Sequence, residues 1–404
     1  MEICVRPHKL AGKLAAPDSK SDTSRKLLCA ALCNRGMVFH MDTTFISDDV
    51  EAMIQCLRAL GTTITILSDT AVEVAPGAYH AKVPQLDCRE SATVLRFMLP
   101  VAAALYGNAS FSGIGSLSRR PILPMLKALE AHGVYADADR IPLSFSGFLS
   151  AGTYKMPGDV SSQFISGLLL AMPLLDEESR IKLTSPLESA AYVDMTIQTM
   201  SQFGVKVEKT KDGFKVPANQ QYRSPEDLTA EKDWSSCSFL YPFGAEFEGL
   251  DPNSLQPDRA IRKYSEILAP GAEIGTLTID VSPHPDLFPI LAVLACRVHG
   301  KVVLSSAKRL RIKESDRIVS TAALINGLGG RAEEVGDTLV ITGTGSLTGG
   351  RVSSFGDHRI AMAAVAASSI CTGDVYITDA QVIKKSYPGF LWDFNALGGT
   401  YYVL

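Results

Sequence analysis

Apolar and polar positions along this chain follow two periods in turn, and the alternation recurs. A helix-period stretch of about three turns ends at a glycine, and two short strand-period stretches around a turn follow it. The first copy, DVEAMIQCLRALGTTITILSDTAVEVAPG, ends its helix at Gly61. PILPMLKALEAHGVYADADRIPLSFSG and YVDMTIQTMSQFGVKVEKTKDGFKVP end theirs at Gly133 and Gly204, and three less evenly spaced copies end at Gly271, Gly329 and Gly398. Recurrence of this kind marks repeated supersecondary units, so three units are expected in each half. The last copy runs out after a single strand, TYYVL, which needs a partner, and the opening MEICVRP is free to supply it. One lobe is therefore expected to be discontinuous, residues 1–15 with 231–404, and residues 16–230 form the lobe inserted between them, returning through NQQYRSPEDLTAEKDW.

Between the copies stand segments that are apolar nearly all round: SRKLLCAALC, TVLRFMLPVAAAL, FISGLLLAMPLL, SFLYPFGAEF, FPILAVLACRV and IAMAAVAASSIC. Helices of that kind are buried within their domain. Each lobe is thus expected to be α/β, three repeats of buried helix, strand, surface helix and two strands, with helices inside the sheets.

The starts of these buried helices are unusually polar: PDSKSDTSR, DCRESAT, GDVSSQF, EKDWSS, SPHPDLF and FGDHR. Helix N-termini carry unpaired N–H groups and a partial positive charge that suit phosphate or carboxylate. Six such ends facing one crevice would form an anion trap. Ser21, Ser161, Ser162 and Asp357 also read as plain caps, and Asp286 equally so. Lys20, Arg25, Gln163, His358 and Arg359 exceed what capping requires. The run KRLRIKESDR, with Lys313 and Glu314 just before a repeat helix, reads either as a solvated charged segment or as a ligand contact, and its position at a helix start favours the latter. Asp286 paired with Glu314 among cations would make a general base and acid. His284 is expected to face solvent.

Composition narrows the function. The chain has 404 residues, more than the roughly 250–300 at which one core stops growing, which supports two domains. A net charge of -4 removes a sequence-wide case for nucleic acid or an anionic membrane. No apolar run reaches the ~20 residues of a bilayer span, since FISGLLLAMPLL meets Pro173, and the N-terminus lacks signal-peptide character, so a cytoplasmic address is expected. The eight cysteines are scattered without Cys-x-x-Cys spacing, so neither a metal site nor a disulfide framework is expected.

Taken together, PDSKSDTSR, SDDVEAM, ESATVLRF, SRRPI, GDVSSQF, ESAAYVDMT, RIKESDR, GDHRIAM and KKSYPGF resemble the 5-enolpyruvylshikimate-3-phosphate synthase family in order and approximate spacing, from about Lys13 to Pro388. The resemblance implies a two-lobed, inside-out α/β barrel that closes on substrate, with the active site between the lobes. It implies transfer of the enolpyruvyl group of phosphoenolpyruvate to the 5-hydroxyl of shikimate 3-phosphate, with release of phosphate, in aromatic amino-acid biosynthesis. No cofactor or metal, no nucleic-acid or membrane partner, and a monomer are expected.

By the same resemblance Asp286 deprotonates the hydroxyl, and Glu314 or Lys20 handles the methylene proton. Phosphoenolpyruvate would meet Lys20, Ala92, Arg120, Gln163, Glu314, Arg317, His358, Arg359 and Lys385. Shikimate 3-phosphate would meet Lys20, Ser21, Arg25, Ser161, Ser162, Gln163, Ser189, Tyr192, Asp286, Arg309 and Lys313. Three positions depart from the family pattern: Asp18 and Ala92 stand where glycine is usual, and Arg309 where some members have Asn. Ala92 implies lowered sensitivity to glyphosate, and Glu90 is expected to be neutralised by Arg89 or Arg96. The rivals are UDP-N-acetylglucosamine 1-carboxyvinyltransferase, disfavoured because Lys20 is followed by Ser21 rather than Asn and no loop cysteine lies between Cys88 and Cys237, and a non-catalytic phosphometabolite-binding protein, which has no use for two carboxylates in an anion site.

Overall fold

The computed structural model describes residues 1–77 and 83–404. Its helices alternate in character along the chain: α1 (Lys20–Ala31), α2 (Asp48–Ala59), α3 (Ala92–Tyr106), α4 (Leu123–Glu130), α5 (Ser162–Ala171), α6 (Ala190–Gln202), α7 (Trp234–Cys237), α8 (Ile261–Ile267), α9 (Phe288–Cys296), α10 (Arg317–Gly327), α11 (His358–Ala367) and α12 (Phe390–Ala396). Most odd-numbered helices are buried along nearly their whole length; every residue of α9 and of α11 is buried. The even-numbered ones are amphipathic, with only part of each in the core.

The chain divides into two compact units, Met1–Ser19 with Lys232–Leu404, and Lys20–Glu231. Each unit has its own hydrophobic core. In the inserted unit the sheets repeat one plan. A strand before the buried helix pairs in parallel with the strand after it, as Gln85–Asp87 does with Asn108–Ser112 across α3, and Thr153–Met156 with Ser179–Leu183 across α5. The second strand of the following hairpin then adds antiparallel, and the first lies at the edge.

The discontinuous unit builds the same four-stranded plan around α9, where Glu273–Asp280 and His299–Ser305 are the parallel pair. Around α11 the hairpin is split between the chain ends. Ile3–Val5 lies between Val375–Thr378 and Tyr401–Val403, antiparallel to both, with Ile3 opposite Val403 and Val5 opposite Tyr401.

The two crossings of the chain exchange strands. Gly12–Ala15 precedes α1 but pairs in parallel with Ala245–Glu248, the strand after α7. Conversely, Thr229 precedes α7 but bridges His40 at the end of Met37–His40, the strand after α1. The amide of His40 donates to Leu228 O and that of Ala230 to His40 O, each at 2.8 Å.

Two expectations need correction. SFLYPFGAEF is not a buried helix: only Trp234–Cys237 is α-helical, and a 3-10 turn over Tyr241–Phe243 follows. Pro242 has no N–H to extend a helix, and Gly244 at φ 106° turns the chain away. The fourth repeat also lacks a hairpin after α8, because its single strand, Glu273–Asp280, is used by the next sheet. All eight cysteines are buried and free of disulfides.

Candidate active site

In the inserted unit the expected residues gather at the N-terminal ends of α1, α3, α5 and α6. Lys20, the first residue of α1, donates from Nζ to Asp49 Oδ2 at 2.6 Å, and Asp49 lies in the first turn of α2. One turn on, Arg25 is buried and ties α1 to α6, donating to Ser21 O at 2.6 Å, Thr196 Oγ1 at 2.7 Å and Tyr192 O at 3.1 Å. Burial lowers its guanidinium to about 10, still a cation at neutral pH. Thr196 donates in turn to Ser166 Oγ on α5 at 2.9 Å. Ser189, at the start of α6, sits in the left-handed region with φ 53°.

Ser161 caps α5 by accepting from the Gln163 amide, and Ser162 is the first residue of that helix. The Gln163 side chain accepts from Arg96 at 2.8 Å and donates to Thr93 Oγ1 at 2.7 Å. Ala92 opens α3, which Ser91 caps, and is 5% exposed. Arg120 follows a 3-10 turn in extended backbone. Glu90 accepts from the Ser116 amide at 3.1 Å, and Arg96 donates to Ser161, Gln163 and Pro121.

In the discontinuous unit one side chain organises the rest. Arg317, the first residue of α10, is 1% exposed and forks onto three carboxylates: Asp286 at 2.7 Å, Glu314 at 2.9 Å and Asp357 at 2.8 Å. Asp286 also receives Arg359 at 3.1 Å and lies 3.7 Å from Lys313 Nζ. Glu314 lies 3.8 Å from Lys385 Nζ. Asp286 and Glu314, read as an acid–base pair, thus share one guanidinium. Burial alone would raise the Asp286 carboxyl, but Arg359, Lys313 and Arg317 hold it well below the usual range, so it is an anion at neutral pH. Burial would likewise weaken Arg317 as a cation, and Asp357, Glu314 and Asp286 reverse that.

Asp286 does not cap a helix; it lies in the 3-10 turn Pro285–Leu287, with its carboxylate on the cations. Asp357 does cap α11, and also accepts from Arg317 and Ser315. His358 is buried with Nδ1 3.9 Å from that carboxylate, and Arg309 donates to Ser282 O at 3.4 Å. His284, expected at the surface, is buried near the Tyr264 ring, and burial pushes it down to about 4. The Asp18 carboxylate is answered by Lys232 Nζ at 2.7 Å.

Sequence reasoning gave no role to Asp49, Thr93, Thr196 or Asp258. Asp49 was visible within SDDVEAM but is indistinguishable there from helix-start acidity. Asp258 is fully buried in the turn Pro257–Ala260, with Oδ1 lacking a hydrogen-bond partner. Among the described residues no group of His, Cys, Asp and Glu is arranged to hold a metal ion, and no helix is long and apolar enough to cross a membrane.

Residues 5–394 match the family model described as EPSP synthase (3-phosphoshikimate 1-carboxyvinyltransferase). The 3-phosphoshikimate 1-carboxyvinyltransferase of Clostridium kluyveri is 38% identical over 98% of this chain and 97% of its own length. That of Methanocorpusculum labreanum is 37% identical over 98% and 99%. The EPSP synthase structure from Acinetobacter baumannii shares the fold at a TM-score of 0.81 with 22% identity, covering 99% of each chain. On the match along nearly its whole length and these identities, the chain belongs to the EPSP synthase family.

Proposed function

We propose that this protein transfers the enolpyruvyl group of phosphoenolpyruvate to the 5-hydroxyl of shikimate 3-phosphate, releasing phosphate, as a step of aromatic amino-acid biosynthesis. The observation that carries this reading is the sharing of Arg317 by Asp286 and Glu314, with Arg359, Lys313 and Lys385 around them. Two carboxylates held among that many cations suit a reaction that moves protons between two anionic substrates.

In the addition step the 5-oxygen bonds to carbon-2 of phosphoenolpyruvate, the hydroxyl proton passes to Asp286, and the methylene carbon takes a proton. Elimination returns a proton from that carbon, re-forms the double bond and breaks the bond from carbon-2 to the phosphate oxygen, and Asp286 gives up its proton to the departing phosphate or to solvent. The ionised Asp286 can accept the hydroxyl's hydrogen bond and orient it, taking its proton only as the oxygen bonds to carbon-2. Glu314, with Lys20 from the inserted unit, handles the methylene proton. Lys20, Ala92, Arg120, Gln163, Arg317, His358, Arg359 and Lys385 are assigned to phosphoenolpyruvate, where arginine forks match carboxylate and phosphate. Ser21, Arg25, Ser161, Ser162, Gln163, Ser189, Tyr192, Arg309 and Lys313 are assigned to shikimate 3-phosphate. Its phosphate is suited by the serines and the positive end of the helix dipole at the start of α5. The proposed state is a monomer, and a cytoplasmic address is in keeping with such metabolites.

The test incubates purified protein with phosphoenolpyruvate and either shikimate 3-phosphate or UDP-N-acetylglucosamine, following phosphate release and the enolpyruvyl product. Turnover with shikimate 3-phosphate alone is expected. Turnover only with the nucleotide sugar, or binding without turnover, would replace this reading.

A further inference from the structure

Arg96 lies on the apolar helix α3 among Val94, Leu95, Phe97 and Met98, all buried, and is itself 3% exposed. Burying a guanidinium costs several kcal/mol unless its donors are met, on the order given by ion desolvation, so a purely packing position would carry an apolar residue. Two of the groups it meets, Ser161 and Gln163, lie at the start of α5. Its Nη1 donates to Ser161 Oγ at 3.2 Å and Gln163 Oε1 at 2.8 Å, and its Nη2 donates to Pro121 O at 2.8 Å. The Phe164 ring lies 4.8 Å from its guanidinium carbon. The reach is possible because α5 passes very close: a Cβ on Gly167 would stand 2.1 Å from Arg96 O.

A guanidinium can only donate, so the atom of the Gln163 amide that faces it must be the oxygen. The NH2 end is thereby turned the other way, where it donates to Thr93 Oγ1 at 2.7 Å. An amide free to rotate would present oxygen to an incoming anion half the time; this one cannot. The bond to Pro121 O anchors the residue next to Arg120 as well.

We propose that Arg96 is a positioning residue of the transfer reaction, touching no substrate, that locks Gln163 with its NH2 end toward phosphoenolpyruvate and fixes the segment carrying Arg120. This rests on the function proposed above.

The test is a double-mutant cycle with Arg96→Met, Gln163→Ala and the pair, reading kcat/KM for phosphoenolpyruvate and thermal midpoint. Arg96→Met is expected to lower kcat/KM about tenfold or more in the parent, and by much less once Gln163 is alanine, because the two act as a unit. Gln163→Glu is expected to keep or raise the midpoint, since a carboxylate also accepts from Arg96, yet to raise KM for phosphoenolpyruvate by presenting oxygen to an anion. If Arg96→Met does not fold, Arg96→Lys, which keeps the charge but not the fork, takes its place in the same cycle. Additive losses with an active parent, or a Gln163→Glu variant with unchanged KM, would overturn the positioning role while leaving the reaction standing. A parent without turnover on shikimate 3-phosphate would remove both.

Discussion

At the scale of residues, the discontinuous unit turns on buried charge, and its consequences differ by side chain. Removing one partner of a buried ion network costs about 3–5 kcal/mol, because the partners left behind stay desolvated. Arg317→Met would take one cation from Asp286, Glu314 and Asp357 at once, and urea unfolding is expected to show a loss of that order; a change below about 1 kcal/mol would refute the hub. Asp258 carries the opposite strain. Burial, and then the nearness of Asp286, push its carboxyl up to about 7 against the pull of Arg359. A raised pKa means that the native state holds the proton more tightly than the unfolded chain does. The associated stability is complete below about pH 4 and lost as pH rises to about 7. Asp258→Asn should therefore match the parent near pH 4 and exceed it increasingly toward pH 8, by something on the order of a few kcal/mol, in paired thermal melts. A difference that does not change with pH would sink this. Ala92 poses a question of shape, since its Cβ occupies the start of α3 where family members often have none. Ala92→Gly is expected to tighten glyphosate inhibition about tenfold or more if that methyl crowds the longer inhibitor, and equal inhibition constants would dismiss it.

At the scale of elements, the apolar helices were legible because burial all round leaves no polar stripe, and α1, α3, α5, α9 and α11 follow from that pattern. The seventh helix was not, since Pro242 and Gly244 lie in a run whose apolarity alone suggested continuation. The close approach of α3 and α5 was also invisible, because a lone glycine in an apolar segment reads as a mild helix cost and not as a contact. Gly167→Ala should force α5 off Arg96 and Phe97 and destabilise by about 1–3 kcal/mol, measured by denaturant midpoint. It should also weaken phosphoenolpyruvate binding, as Gln163 loses its anchor. An alanine variant as stable as the parent would show that the helices yield at little cost.

At the scale of the whole molecule, the two units differ in what the chain gives them. Residues 20–231 hold all the strands of their three sheets, whereas the other unit needs Ile3–Val5 as an interior strand and Gly12–Ala15 for its smallest sheet. Residues 20–231 expressed alone are therefore expected to unfold cooperatively, and residues 232–404 to stay unfolded until a peptide of residues 1–19 is added. Circular dichroism and amide exchange would read both, and a cooperatively folded 232–404 fragment would contradict the account.

The amino-acid order alone settled five of the six buried helices, the surface helices, the polar helix tips and the pairing of the first strand with the last, and the repeat apart from its fourth copy. Each depends on periodicity within a few turns or on a strand left without a mate, and such patterns are local. Packing alone decided that Arg317 meets Asp286 and Asp357 across 31 and 40 residues of chain, that the two crossings trade strands, and that Arg96 reaches Gln163 across 67. A charged side chain carries no mark of its partner in the residues beside it. Its partner is chosen when desolvation makes every buried charge find one within reach.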